Sequence, residues 1–186
     1  MNILVTGSSG FIGSQVAKKI LAQGTFHLSC LSSKDLNPIS GDQTSQYTIL
    51  PDADHQSILK GQDVVVHAAN FSNFKKHAFG FGKRYYERLN VEGTINLAKQ
   101  ASEAKVRRFV FLSSTKVFGE SSLANFRLNS CSDTSPRTAY GVSKLETERQ
   151  LFRLSEQTGM EVVIIRPPIV CGAKMRGSLK LLIRLF

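Results

Sequence analysis

The sequence predicts an α/β fold, a doubly wound parallel sheet of the Rossmann type. Short runs rich in Val, Ile and Leu alternate about six times with longer helical stretches, as in sheets covered by helices. The apolar run inside Asp63–His67 is uninterrupted, which is typical of a strand buried on both faces. A glycine-rich turn follows the first strand and opens the first helix, where such folds bind ligands.

Composition excludes several classes of protein. The 186 residues suit one domain, and 41% hydrophobic residues with only 14 Gly and 5 Pro exclude a disordered, collagen-like or low-complexity chain. No apolar run reaches the roughly 18 residues of a membrane span, and the amino terminus lacks a signal-peptide layout. Cys30, Cys131 and Cys171 are too few and scattered for a disulfide framework or zinc site. We therefore expect a reduced, cytoplasmic protein without metal.

The elements of the amino-terminal half follow from periodicity and turn residues. The first helix carries Ile12, Val16, Ile20 and Leu21 on one face, and Gly24 ends it. The strands are short β-rich runs between turn signals. In order, we predict a strand at Ile3–Val5, a helix at Phe11–Gln23, and strands at Phe26–Leu31, Tyr47–Leu50 and Asp63–His67.

The carboxyl-terminal half continues the alternation. We predict a helix at Lys83–Ala104, a strand at Arg107–Ser113, a helix at Ala139–Thr158 and a strand at Glu161–Arg166 that Pro167 and Pro168 close. Ser178–Phe186 reads as an apolar helix that stops without a cap. We therefore expect residues 1–186 to be one dinucleotide-binding domain that ends in the start of a truncated substrate-binding region, the rest of that region being absent.

The turn after the first strand has the spacing of a dinucleotide-binding loop. A residue without Cβ suits the tight turn at Gly7, the close approach of a diphosphate at Gly10, and helix packing at Gly13. The helix amino terminus then offers N–H groups and a positive dipole to the diphosphate. A plain tight turn with spaced glycines is the alternative. The residues expected at the cofactor are Gly7, Ser9, Gly10, Phe11, Ile12 and Gly13.

The end of the second strand bears on the choice between NAD and NADP. NAD-binding domains usually place a carboxylate about 20 residues after the glycine turn, on the ribose hydroxyl. Here Ser32, Ser33 and Lys34 stand at that point, and they would tolerate a 2′-phosphate. The alternative is a solvated loop in which Asp35 contacts the ribose. We expect NAD or NADP, with a preference for NADP.

Tyr140, Lys144 and Ser114 form a candidate catalytic group. Tyr140 and Lys144 are four residues apart on a predicted helix and so share a face. A nearby ammonium would lower the pKa of the phenol from about 10 and make it a usable acid or base for a sugar hydroxyl. Ser114 ends the fifth strand, at the edge where ligands bind. The alternatives are a surface Tyr–Lys pair and a strand-terminal serine.

Six motifs in order carry a resemblance to a known family. They are Thr6-Gly7-x-x-Gly10-x-x-Gly13, His67-Ala68-Ala69, Asn90-Val91-Glu92-Gly93-Thr94, Ser113 to Gly119, Tyr140-Gly141-x-Ser143-Lys144 and Arg166 to Gly172. With these motifs the chain resembles the amino-terminal part of the extended short-chain dehydrogenase/reductase family, in particular its nucleotide-sugar epimerase/dehydratase group. The resemblance covers nearly the whole chain.

The resemblance implies roles for the matching positions. Tyr140 would be the acid/base, Lys144 would tune it and hold the nicotinamide ribose, and Ser114 would bind the reacting oxygen. His67, Ala68 and Ala69 are expected at the cofactor, which would pass close to the small alanines, and His67 is expected to be structural rather than catalytic. Asn90, also counted among the cofactor-binding residues, would brace its helix beside the fifth strand, and the backbone at Pro167 and Pro168 would line the nicotinamide side.

The implied activity is that of a nucleotide-sugar epimerase, reductase or dehydratase. The chain departs from the family at Thr48, Cys171 and Ala173, where aspartate, tyrosine and proline are frequent. Members also continue for many more residues that hold the nucleotide sugar. Since catalysis needs a positioned substrate, the alternative is a non-catalytic dinucleotide-binding module, or an inactive fragment, that acts through a partner protein. A homodimer is left open.

The net charge of +10, from 24 Lys and Arg against 14 Asp and Glu, favours an anionic partner. Phe71–Arg88 mixes aromatic and basic residues, which could bind single-stranded nucleic acid or flank a pocket for a nucleotide sugar. An ordinary loop and solvated helix face is the simplest interpretation. Because the stretch follows the fourth strand on the crevice side, it favours the pocket over nucleic acid. We expect a nucleotide-sugar substrate and neither nucleic acid nor a membrane as partner.

Overall fold

The computed structural model describes residues 1–32, 43–46, 49–71, 82–119 and 127–172. The strands are β1 (Asn2–Thr6), β2 (His27–Ser32), β3 (Gln43–Gln46), β4 (Val64–His67), β5 (Arg108–Leu112) and β6 (Glu161–Ile165). The helices are α1 (Phe11–Leu21), α2 (Gln56–Leu59), α3 (Gly82–Tyr86), α4 (Gly93–Glu103) and α5 (Ala139–Thr158). A π-helical segment (Glu87–Glu92) joins α3 to α4, and a 3-10 helix (Thr115–Phe118) follows β5. Predictions for Ser33, Lys34, Thr48 and Ser178–Phe186 lie outside the described residues.

The strands form one parallel sheet in the order β3-β2-β1-β4-β5-β6. The chain therefore builds outward from β1 in one direction and, after crossing to β4, outward in the other. The carboxyl ends of β1 and β4 lie side by side, with Thr6 opposite His67. In such sheets the reversal of strand order opens a crevice at the carboxyl ends, and ligands bind there. The predicted doubly wound fold is confirmed.

Two hydrophobic clusters hold the sheet between its helices. The alternation of side chains along β1 sends Ile3 and Val5 to one face, where they pack with Ala17 of α1. Leu4 points to the other face and belongs to a cluster that includes Leu97 of α4 and Leu151 of α5. Strands buried on both faces thus explain the uninterrupted apolar runs in the sequence.

Two predicted elements are corrected by the structure. The third strand is β3 at Gln43–Gln46, and it pairs with β2 at the edge of the sheet. Of the strand predicted at Tyr47–Leu50, Ile49 and Leu50 are in no strand, and residues 47 and 48 lie outside the described residues. An edge strand is held by backbone hydrogen bonds on one side only and needs no apolar run, so its polar sequence gave no signal. The long helix expected at Lys83–Ala104 is divided by the π-helical segment into α3 and α4.

The helices and the cysteines of the structure bear on the predictions about membrane spans and disulfides. Across the parts of the chain that the structure describes, every helix is too short or too polar to span a bilayer. All three cysteines are free thiols; Cys30 is buried, whereas Cys131 and Cys171 are exposed.

Candidate active site

The glycine turn joins β1 to α1 at the crevice. Gly7 has φ +70, a conformation that favours glycine, and its N–H donates to the carbonyl of Leu31 at 2.8 Å. A Cβ at Gly7 would lie 2.5 Å from the amide nitrogen of Ala69, and a Cβ at Gly13 would lie 2.3 Å from the carbonyl oxygen of Gly7. Both positions therefore need glycine for packing, as the spacing predicts.

Gly10 is less crowded than the other two glycines, because a Cβ there would meet one atom instead of several. A Cβ there would approach only the Gly7 carbonyl oxygen, at 3.0 Å. Gly10 caps α1 without any side-chain hydrogen bond to the first turn, so the helix begins with bare N–H groups. An open cradle beneath the positive end of a helix fits the diphosphate of a dinucleotide.

Ser32 ties the end of β2 to the glycine turn. Its hydroxyl donates to Oγ of the exposed Ser9 at 2.7 Å, and Ser32 itself is buried. Beside it, the hydroxyl of buried Ser8 donates to the Leu31 carbonyl at 3.2 Å. The residue that ends β2 therefore supports the turn with a neutral hydroxyl rather than presenting a carboxylate.

His67 ends β4 in a fully hydrogen-bonded, buried position. Its Nδ1 lies 2.8 Å from Oγ1 of Thr6, and its Nε2 lies 3.0 Å from Oγ1 of Thr94. The ring also stacks on Phe111, with centroids 6.0 Å apart. Burial lowers its pKa to about 3, with the charge of Lys144 acting in the same direction. His67 is thus a neutral support between β1 and α4, which agrees with a structural role.

Tyr140 brings its phenol to the carboxyl ends of β4 and β5. The amide of Asn70 donates to the phenolic oxygen at 3.3 Å, and the side chain of Ser114 lies close enough to favour the charged form of the phenol. The ring of Tyr86 packs edge-on against Tyr140 at 6.0 Å. Burial raises the pKa of Tyr140, while the side chains of Asn70 and Ser114 oppose that rise. The lowered pKa predicted from the sequence is therefore wrong for this structure.

The pKa of Tyr140 is not lowered, because Lys144 directs its ammonium elsewhere. Its Nζ donates to the carbonyl of Leu112 at 2.9 Å and sits 4.5 Å from the ring centroid of Phe111. The distance from Nζ to the ring centroid of Tyr140 is 5.8 Å. Lys144 is 2% exposed, and burial lowers its pKa to about 7, partly opposed by Glu148. Near neutral pH the ammonium is thus only partly charged, and it does not contact the phenolic oxygen.

A buried ion pair lies behind Lys144. Glu148, one helical turn further along α5, is 1% exposed and accepts two hydrogen bonds from Nε of Arg166, at 3.1 and 3.2 Å, and one from its terminal nitrogen at 2.6 Å. Glu148 also accepts a hydrogen bond from Ser113 at the end of β5. The pair joins α5 to the segment that follows β6 and so fixes the helix that carries Tyr140.

Asn90 and Pro167 connect segments near the site: the side chain of Asn90 binds backbone groups of another residue, and Pro167 uses its own carbonyl. The side chain of Asn90 accepts from the N–H of Phe71 at 2.9 Å and donates to its carbonyl at 3.2 Å. Asn90 is buried within the π-helical segment, so it braces the loop after β4. The carbonyl of Pro167 accepts from the N–H of Thr115 at 3.1 Å, which links the segment after β6 to the 3-10 helix.

Ser114 begins that 3-10 helix as its cap. Its Oγ accepts from the N–H of Lys116 at 3.2 Å, which leaves its hydroxyl proton for the phenol of Tyr140. Gly141 lets α5 approach this region, since a Cβ there would lie 2.7 Å from the Lys116 carbonyl. The predicted Ser114, Tyr140 and Lys144 therefore do converge at one edge of the sheet.

The sequence did not indicate Asn70 or Glu148. Asn70 follows Ala69 directly after β4, and its position at the end of a buried strand was the available signal. Glu148 stands four residues after Lys144 on the buried face of α5, between Leu145 and Leu151, where a carboxylate is unusual. In the part of the chain that the structure describes, no cluster of His, Cys, Asp and Glu could hold a metal ion.

Comparison with known proteins identifies the family. The model of the NAD dependent epimerase/dehydratase family matches residues 3–185. This chain belongs to that family. UDP-glucose 4-epimerase of Vibrio cholerae is 35% identical over 184 residues, which cover 99% of this chain and 56% of that enzyme. The extended short-chain dehydrogenase/reductase resemblance predicted from the motifs is confirmed.

Solved structures of family members share the fold. The UDP-glucuronic acid 4-epimerase of Bacillus cereus, in complex with NAD, has a TM-score of 0.81 at 26% identity, over 95% of this chain and 59% of that one. A short-chain dehydrogenase/reductase superfamily protein of Agrobacterium tumefaciens with bound NAD has a TM-score of 0.77 at 29% identity, over 89% and 48%. The family member described here spans about half the length of these relatives.

Proposed function

We propose that this chain is the cofactor-binding part of an NAD(P)-dependent enzyme that acts on nucleotide sugars as an epimerase, reductase or dehydratase. The observation that carries the proposal is the phenol of Tyr140, which receives a hydrogen bond from Asn70 and lies beside Ser114 at the crevice that the glycine turn borders. The relatives act on UDP-glucose or UDP-glucuronic acid by name, which favours a nucleoside diphosphate sugar as substrate.

The roles follow from position and chemistry. Tyr140 exchanges a proton with a sugar hydroxyl, and Ser114 donates a hydrogen bond to the reacting oxygen. When bound, the nicotinamide cofactor supplies the acceptor and donor of hydride. Lys144 is placed on the same helix face to hold the nicotinamide ribose and to favour the phenolate when it is charged. The raised pKa keeps the phenol protonated at neutral pH, the form that gives a proton to a keto-sugar oxygen during reduction, whereas the phenolate is the form that takes the proton of a sugar hydroxyl during oxidation.

The cofactor is held by the glycine turn and the ends of neighbouring strands. Gly10 offers the open cradle, and the N–H groups of Phe11, Ile12 and Gly13 begin α1 beside it. Ala68 and Ala69 keep the floor of the crevice low at the end of β4, and the backbone of Pro167 borders the opposite side. Ser32 presents a hydroxyl to Ser9 where a carboxylate would repel a 2′-phosphate, so either NAD or NADP is proposed, with a preference for NADP.

Residues 1–186 form the cofactor-binding domain in this proposal, with the start of a substrate-binding region at its end. Since the relatives that match are nearly twice as long, substrate positioning depends on residues outside this chain. Orientation supplies much of the rate in such reactions. We therefore expect the chain to bind dinucleotide and to turn over a nucleotide sugar slowly or not at all.

Calorimetry with NAD and NADP, beside turnover of UDP-glucose by the same preparation, tests the proposal. Saturable binding of one equivalent of dinucleotide is expected, with NADP bound at least as tightly as NAD. Tyr140→Phe is the matched variant: it removes only the hydroxyl, so it should leave dinucleotide affinity within about twofold and abolish any turnover. Absence of dinucleotide binding would overturn the proposal, and so would turnover that survives in Tyr140→Phe.

A second candidate is a non-catalytic dinucleotide-binding module that acts through a partner protein. The apolar side chains at and after β6 favour it: Val163, Ile165 and Ile169 are exposed, the last by 73%. Such side chains are typical of surfaces that a partner, a further domain or a second copy covers. Sedimentation with and without dinucleotide separates a monomer from a homodimer. A module of this kind binds dinucleotide but shows no saturable binding of UDP-glucose.

A further inference from the structure

We propose that Asn70 is a further catalytic residue, whose amide stabilises the phenolate of Tyr140, and that Asn90 is the residue that positions it. This inference rests on the proposed role of Tyr140 as acid/base. Asn70 stands at the carboxyl end of β4, beside the crevice, and is exposed to it. Its Nδ2 donates to the phenolic oxygen at 3.3 Å, and an amide N–H can donate whether that oxygen carries a proton or a negative charge.

The backbone on both sides of Asn70 is fixed. On one side, the N–H of Ala69 donates to Oγ1 of Thr6 at 3.3 Å, while the N–H of Ala68 donates to the Thr6 carbonyl at 3.1 Å. On the other side, the side chain of Asn90 holds both the N–H and the carbonyl of Phe71. Asn70 is the one residue between these two anchors, so its backbone is fixed at a point from which its amide reaches the phenol.

Asn90 is held in turn by packing rather than by the site. It is 5% exposed, and its carbonyl lies 3.2 Å from Oγ1 of Thr147 in α5, whose one hydroxyl proton it shares with the Ser143 carbonyl at 2.8 Å. The helix that carries Tyr140 therefore also contacts the residue that fixes Asn70. The contacts therefore run from α5 through Asn90 and Phe71 to Asn70, whose amide contacts the phenol that α5 carries. Asn90 touches no reacting atom in this arrangement and acts only through Asn70.

The charged groups around Tyr140 do little to stabilise its phenolate, so the amide of Asn70 matters. Within the described ranges, the titratable groups placed against Tyr140 are Tyr86 from α3 and Lys144 from α5. Lys144 donates to Leu112 instead of the phenolic oxygen, and burial raises the pKa of Tyr140. The described groups that favour the phenolate are Asn70, whose amide donates to the oxygen that gains the charge, and the adjacent side chain of Ser114.

The experiment measures the ionisation of Tyr140 in the chain itself, without cofactor or substrate. All four tyrosines are replaced biosynthetically by 3-fluorotyrosine, whose phenol titrates at lower pH and is followed by fluorine NMR. Tyr140→Phe assigns the Tyr140 signal. Asn70→Ala should raise the pKa of Tyr140 by about half a unit, and Asn70→Asp by more, because a carboxylate repels the phenolate. Asn70→Gln, which keeps an amide, should recover part of the shift.

Two further variants make the outcome decisive. Asn2→Ala removes an asparagine at the opposite end of the sheet, where its amide donates to the Gly61 carbonyl, and should leave the Tyr140 titration unchanged. Asn90→Ala should shift the Tyr140 pKa in the same direction as Asn70→Ala but add nothing in the double variant, since it acts through Asn70. An unchanged pKa in both Asn70→Ala and Asn70→Asp overturns the inference. It leaves dinucleotide binding, and with it the proposed function, untouched.

Discussion

His67 shows how a residue in a family motif can act through its neighbours. Thr6 Oγ1 accepts a hydrogen bond from the N–H of Ala69 and lies 2.8 Å from Nδ1 of His67, while Nε2 of His67 lies 3.0 Å from Oγ1 of Thr94. Because a hydroxyl can donate or accept, both nitrogens of the neutral ring have a partner, and the ring joins β1, β4 and α4 below the crevice. A charged imidazole is disfavoured because the site is buried and the charge of Lys144 acts in the same direction.

The low pKa of His67 gives stability a defined dependence on pH. Its pKa is about 3 in the folded chain and 6.5 in the ordinary state, so between these values the unfolded chain binds a proton that the folded chain does not. Stability should therefore be full above pH 6.5 and decrease as the pH falls towards 3. At pH 5 the loss from His67 alone should be about 2 kcal/mol.

Urea unfolding of wild type and His67→Gln at pH 7.5 and pH 5 measures this term. Both chains keep the same carboxylates, so the extra loss in wild type between the two values isolates His67. Equal losses would contradict the assignment. If the variant does not fold, long-range ¹⁵N NMR of wild type still decides, because it must show a neutral ring for His67 at pH 5.

Tyr140 and Lys144 show how far side-chain placement can be predicted from the sequence. A separation of four residues places both side chains on one face of α5, and the structure agrees. Spacing does not determine the direction of a long side chain, and the carbonyl of Leu112 takes the ammonium. Asn70 and Glu148 could not be assigned from their type alone, since their partners are 70 and 18 residues away in the chain.

At the scale of elements, the π-helical segment explains how one residue reaches the loop after β4. An α-helix running unbroken from α3 to α4 would rotate each residue by about 100°, whereas a wider turn delays the rotation locally. Asn90 lies within this wider turn and is directed to Phe71. Helical periodicity predicted the extent of the helix but not the wider turn, because a π turn has no residue pattern of its own. The same limit explains β3, whose polar residues pair only with β2.

The glycine turn allows ligand binding to be separated from packing by two matched substitutions. Gly13→Ala would place its Cβ 2.3 Å from the Gly7 carbonyl, so it should destabilise the fold by about 1–3 kcal/mol. Gly10→Ala meets only one atom, at 3.0 Å, and its φ of −75 suits alanine. It should keep nearly wild-type stability and lose at least about tenfold in dinucleotide affinity, since its methyl fills the cradle.

Thermal unfolding and calorimetry on the two variants provide the measurements. Gly13→Ala should lose stability, and Gly10→Ala should lose dinucleotide affinity. Wild-type affinity in Gly10→Ala would mean that the diphosphate does not approach this face of the turn.

At the scale of the whole molecule, fold and site are parts of one arrangement. The reversal of strand order places the glycine turn beside Ala69, and the same edge of the sheet carries Asn70, Ser114 and Tyr140. The fold class, the turn and the group of Ser114, Tyr140 and Lys144 could be predicted because each depends on local pattern. The hydrogen bonds that connect these features could not be predicted, because they depend on which strands become neighbours.

Cofactor binding should therefore stabilise the molecule from one edge of its sheet. Dinucleotide at a hundred times its Kd adds about 2.7 kcal/mol to the free energy of unfolding, which should raise Tm by roughly 5 to 10 °C. Hydrogen exchange should slow first in the glycine turn and at residues 68–71, which border the crevice. The amino ends of the strands, where the N–H of Asn2 donates to the carboxylate of Asp63, should change only with global unfolding. Gly10→Ala is the control: with tenfold weaker affinity at the same dinucleotide concentration it should show about half of the stabilisation or less. Equal protection in that variant, or protection confined to the amino ends, would place the dinucleotide elsewhere.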